Sequence, residues 1–188
     1  MAVAVDMPTP SFQPVVSPTD SAYYHQLTRF DTERLPLFNC ILYASNKINV
    51  HPDYIYTLVM AEGGTMGKYR RNKDGTHDMG IMQINYETWA VDLPRIGWKA
   101  DWRMVLKNTC SNIELGTIIY QHRAEKAKDE LTGLANYHWY STAKNKGPHF
   151  TYKERIERIL KDIRADKAKF ASTGVVNGTL RCKYANCD

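Results

Sequence analysis

Apolar residues along this chain recur mainly at helical spacing. Leu37, Cys40, Ile41 and Ala44 fall at i, i+3, i+4 and i+7, one stripe of an α-helix that turns Cys40 inward. A second helix is predicted from Pro52, whose fixed φ and missing N–H suit the first helical position. Ile55, Leu58, Val59 and Glu62 share one face of it, and Gly63-Gly64 ends it, because glycine accepts the left-handed cap. Over residues 68–85 the texture changes. Asp74-Gly75 is a hairpin signal, so short strands are expected on either side, followed by Gly80 and Ile81-Met82-Gln83-Ile84. Helical patterning resumes over residues 86–93, 101–107 and 111–129, the last with Ser111 and Glu114 spaced as a capping box. Residues 131–139 form a further apolar segment. Ile156, Ile159, Leu160 and Ile163 make the stripe of a long helix over residues 152–170, whose other face is densely charged. The pattern as a whole is α+β, mostly α, with one small β-hairpin.

The ends lack this periodicity. Residues 1–20 carry four prolines and no Lys or Arg, which reads as a disordered arm without the basic start of a secretory signal. Residues 171–188 read as an irregular tail, leaving 21–170 as one folded domain. A length of 188 residues with 43% hydrophobic and 24% charged residues is that of an ordinary globular domain. No apolar run is long enough to span a membrane. The net charge of +5 suits an acidic partner without choosing among nucleic acid, anionic lipid and wall polymer. The four cysteines, Cys40, Cys110, Cys182 and Cys187, show no metal-site spacing. Their number fits two disulfides in an oxidising compartment or four free thiols.

Glu62 is the anomaly in the pattern, a carboxyl on an apolar stripe. Burial disfavours its charged form and raises its pKa, which suits a general acid. Asp78 follows the Asp74-Gly75 turn on the outgoing strand, where a second carboxylate could face Glu62 across a cleft, as in glycoside hydrolases. Each has a plainer reading, as a helix-end glutamate and a turn aspartate. The chain holds 12 Tyr and 4 Trp, and Tyr137, Trp139 and Tyr140 cluster, which fits sugar-binding faces or simply core. The histidines have no metal spacing, and neither metal nor cofactor is expected.

Three segments taken together resemble lytic transglycosylases of the lysozyme-like superfamily: Ala61-Glu62-Gly63, then Gly80-Ile81-Met82-Gln83-Ile84-Asn85, then Ala135-Asn136-Tyr137-His138. Their order and spacing agree with the family over roughly residues 37–163. The small members of type III and type IV secretion and conjugation systems look closest, through Cys40, Cys110-Ser111-Asn112-Ile113 and Tyr152-Lys153-Glu154-Arg155-Ile156. The resemblance implies a lysozyme-like fold with the hairpin beside the active-site cleft, and a Cys40–Cys110 disulfide; Cys182 and Cys187 are the candidate second pair. It implies Glu62 as the catalytic acid, Gln83 and the backbone at Met82 holding an N-acetyl sugar, Tyr137 orienting Glu62, and His138 lining the site. Two positions depart from the family: Gly63 replaces a serine, and His138 stands where many members have asparagine. Asp78 also matches the second carboxylate of animal-type lysozymes.

The implied activity is cleavage of the MurNAc–GlcNAc bond of peptidoglycan with 1,6-anhydro ends, in the bacterial periplasm or cell-wall space. Glycan strands are the implied substrate, and secretion or conjugation machinery the candidate partners. A hydrolytic muramidase using Glu62 and Asp78, and a non-catalytic wall-binding protein, are the alternatives. No nucleic-acid motif is present.

Overall fold

The computed structural model describes residues 16–139, 146–178 and 180–183. Its elements are α1 (Pro18–Leu27), α2 (Leu37–Ile48), α3 (Pro52–Glu62), β1 (Tyr69–Arg71), β2 (His77–Met79), β3 (Ile84–Asn85), α4 (Tyr86–Arg95), α5 (Trp102–Lys107), α6 (Thr109–Ala124), α7 (Glu130–Ala135) and α8 (Lys146–Thr173), with single 3₁₀ turns at Thr28–Phe30 and Leu180–Lys183. The architecture is helical with a small antiparallel sheet of order β1-β2-β3.

α3 is the axis of the fold. Its ten residues from Pro52 to Ala61 are all buried, as a helix enclosed on every side must be. The His51 ring accepts a hydrogen bond from the Asp53 N–H at its start, and Gly63, at φ 60°, ends it in the left-handed conformation. α8 packs on α3, and α2 packs on α6. Cys40 and Cys110 are joined in a disulfide that ties α2 to the start of α6. Of the second cysteine pair expected, Cys187 and the side chain of Cys182 lie outside what is described.

Several boundaries differ from the sequence pattern for local reasons. Helical order begins at Pro18, inside the stretch read as an arm, because Ser17 and Asp20 form a reciprocal capping box with Pro18 at the first position. α6 begins at Thr109, not Ser111: the Asn108 side chain accepts from the Ser111 N–H and takes the capping role assigned to Ser111. α8 runs past residue 170 to Thr173, and Val176 and Leu180 beyond it are buried.

α1 is fastened by polar contacts as well as by Tyr23, Tyr24 and Leu27, all fully buried. The Tyr23 hydroxyl donates to Asp166 of α8 and the Tyr24 hydroxyl to Asp53 of α3. The Lys167 ammonium bridges Asp20 and Asp53. Burial works to raise the Asp20 pKa, but Lys167 and the Ser17 hydrogen bonds outweigh it and hold the carboxylate well below its usual range. These contacts hold the N-terminal end of α3 to the C-terminal half of α8.

Candidate active site

A cleft of about 510 Å³ opens between the sheet and the helices; Glu62, Asp78, Gln83, Arg123, Tyr137 and His138 are among the residues that line it. Glu62 enters from the last turn of α3, with its side chain 9% exposed. The Tyr152 hydroxyl of α8 donates to its Oε1 at 2.6 Å. Burial raises the Glu62 pKa to about 7, and the negative charge of Asp78 adds to the rise, while Tyr152, Arg155 and Arg70 work against it. Near neutral pH a large share of Glu62 is therefore protonated and able to donate.

Asp78 sits on β2 opposite Arg70 of β1 and Asn85 of β3. Its Oδ1 accepts from the Asn85 amide at 3.0 Å and its Oδ2 from the Arg70 guanidinium at 3.3 Å. Both oxygens are thus engaged, and the charge is paired.

The loop between β2 and β3 is pressed against the end of α3. A β-carbon at Gly64 would lie 2.0 Å from the Gly80 carbonyl oxygen and 2.7 Å from Gln83 Nε2, so only glycine fits this approach. Asn112 of α6, fully buried, pins the loop from below. It accepts from the Met82 N–H at 2.9 Å and donates to the carbonyls of Met79 and Val105 at 3.2 and 2.9 Å. Gln83 reaches the cleft at φ 47°, its amide donating to the Gly80 carbonyl. Met82 itself is fully buried, and its carbonyl accepts from the Tyr137 hydroxyl at 2.8 Å.

The hydrogen bond to Glu62 expected of Tyr137 is therefore made by Tyr152, while Tyr137 braces the Met82 backbone. Tyr152 had a signal in the sequence, the Tyr152-x-x-Arg155-Ile156 segment, but its spacing there also makes it one more member of the α8 stripe. Arg123 gave no signal of its own, and Asn112 stood only as a member of the Cys110-Ser111-Asn112-Ile113 segment, with no role attached. Arg123 donates to the carbonyls of Tyr137 and His138 at 2.6 and 3.0 Å and lies over the Trp89 ring, fixing the chain where it leaves α7. His138 stacks on the Tyr152 ring with centroids 4.8 Å apart, and its Nδ1 lies 3.9 Å from Glu62 Oε1.

Among the described residues, one group of side chains has metal-ligand atoms within 4.8 Å of one another, namely Asp20, His51 and Asp53. Lys167 already bridges its two carboxylates, so the group serves to dock α1.

Residues 39–158, well over half of the chain, match the family described as the transglycosylase SLT domain. The chain belongs to that family. SLT domains are lytic transglycosylases acting on peptidoglycan, and the mostly helical fold with a small antiparallel sheet is the lysozyme-like one. No individual curated protein matches the chain. The match spans α3, the sheet and the first part of α8, so every residue named above around Glu62 belongs to the SLT domain.

Proposed function

We propose that this SLT domain cleaves the β-1,4 bond between MurNAc and GlcNAc and leaves 1,6-anhydro-MurNAc ends, with Glu62 acting first as acid and then as base. The observation that carries the reading is the Glu62 carboxyl, nearly buried at the cleft, protonated into the neutral range and held by one phenol. Tyr152 occupies Oε1, which leaves Oε2 to carry the proton. Glu62 gives this proton to the glycosidic oxygen as the bond from that oxygen to the anomeric carbon breaks and positive charge gathers on the sugar. The Glu62 carboxylate then takes the proton of the sugar's 6-hydroxyl, whose oxygen attacks the anomeric carbon and closes the anhydro ring. Glu62 ends the cycle protonated, and no water is consumed.

Gln83, held in place by the braced Met82 backbone behind it, shapes the wall that meets the N-acetyl group. Asp78 contributes its negative field: it favours the protonated form of Glu62 before bond cleavage and stabilises the positive charge that gathers on the sugar during it. With both oxygens engaged, Asp78 is poorly placed to attack as a nucleophile, which argues against the hydrolytic alternative. A disulfide between α2 and α6 suits an oxidising, periplasmic setting, and no helix among the described residues is long and apolar enough to cross a membrane. Local opening of the wall for a secretion or conjugation machine is the role that fits such an enzyme. Mass analysis of digested peptidoglycan tests the chemistry: products lighter by one water than hydrolysed ends are expected, and fully hydrated reducing ends would make the enzyme a muramidase instead.

A further inference from the structure

His138 is a residue of the cleft, close to Glu62, that the chemistry above leaves without a task. Its ring lies nearly parallel to Tyr152, at 17° and 4.8 Å between centroids, and meets the Trp139 ring edge-on at 6.0 Å. Its backbone is fixed, because its carbonyl accepts from Arg123. Tyr152 in turn makes the 2.6 Å hydrogen bond to Glu62. The stack therefore restricts the one ring whose tilt decides where the phenol points. The His138 side chain is 41% exposed, so protons reach it from the cleft.

We propose that His138 is a positioning residue: its neutral imidazole clamps Tyr152 against Glu62, and its protonation sets an acidic limit to turnover. This rests on Glu62 being the proton donor. The charged and titratable groups that face His138 are Glu62 of α3, Tyr152 and Arg155 of α8, Asp78 of β2, Arg70 of β1 and Arg123 of α6. Burial pushes its pKa below the usual histidine value; Asp78 pulls it back up, and the three arginines push it further down. The ring is thus neutral where Glu62 works. Protonating it at lower pH places a positive charge 3.9 Å from Glu62 Oε1, beside a sugar that must itself become positive, and this opposes bond cleavage.

The pH dependence of kcat on purified peptidoglycan, read by anhydro-ended products, tests this with two variants. His138→Phe keeps a ring for the stack but cannot be charged. His138→Asn keeps a polar atom near Nδ1 but has no ring. The parent should lose about tenfold in kcat as pH falls below the usual histidine range, given a full charge in a partly desolvated cleft. His138→Phe should keep more of kcat at pH 7 than His138→Asn and show no such loss at low pH. His138→Asn should fall by roughly tenfold or more with KM little changed, as small misplacements of a reacting group do. Equal kcat in His138→Asn and the parent would overturn the clamp, and an acidic loss persisting in His138→Phe would overturn the charge effect. Glu62→Gln run alongside separates the levels: if it still cuts, the proton-donor reading beneath has failed, whatever the His138 variants do.

Discussion

The burial that raises the Glu62 pKa also destabilises the fold. Its pKa stands near 7 in the folded chain against an ordinary value of 4.5, so between these values the folded chain holds a proton that the unfolded chain releases. Stability from this group is intact below about 4.5 and is lost as pH rises through 7, by an order of 3 kcal/mol. Glu62→Gln should therefore abolish turnover, by at least roughly 10²-fold, yet raise the melting temperature at pH 8 while changing it little at pH 4. Equal shifts at both pH values would mean that Glu62 is not held protonated. Asp78→Asn removes a negative charge that raises the Glu62 pKa, so the fall of activity at alkaline pH should move to lower pH. An unmoved pH profile would leave Asp78 as a fastener of Arg70 and Asn85 only. Glu62 was legible in the sequence because a carboxyl on an apolar stripe is costly and stands out. The part Tyr152 plays was not, because its hydroxyl meets Glu62 across 90 residues and an aromatic on a helix stripe looks like core until its polar tip is placed.

Helices were legible where one face is apolar and one is not. α2 shows its stripe of Leu37, Cys40, Ile41 and Ala44, all fully buried. The sheet was legible only in part. The Asp74-Gly75 turn announced β1 and β2, with Asp74 accepting from the Thr76 N–H and Gly75 at φ 88°. β3 has two residues, too few for an alternation to show, and Asn85 at its end also caps α4 by accepting from the Thr88 N–H. What makes so small a sheet a dependable wall is Asn112, whose side chain satisfies three buried backbone groups. Asn112→Ala would strand all three away from water. We expect a loss of stability of about 3 kcal/mol or more in chemical denaturation, with residual activity reduced because the Gln83 loop is no longer pinned. A loss below about 1 kcal/mol would show that the loop is held by its own turns.

For the whole molecule, the disulfide closes a loop of 70 residues between α2 and α6, and its constraint on the unfolded chain is worth about 4 kcal/mol. Reduction, or Cys40→Ser with Cys110→Ser, should lower the melting temperature by many degrees while the folded enzyme keeps its cleft, since neither cysteine lines it. Thermal melts with and without reductant would show this; coincident curves would mean that the link adds nothing to the fold. The other long connections are non-covalent: Tyr23 meets Asp166 across 143 residues, and Tyr152 meets Glu62 across 90. Contacts so far apart along the chain close late in folding. If the polypeptide is delivered N-terminus first, Glu62 arrives well before the helix that must hold it, and α1 waits for the same helix. Until that last stretch has come through, Glu62 has neither its Tyr152 partner nor a closed cleft, so on the proposed reading a wall-cutting chain stays inert until its final helix is in place.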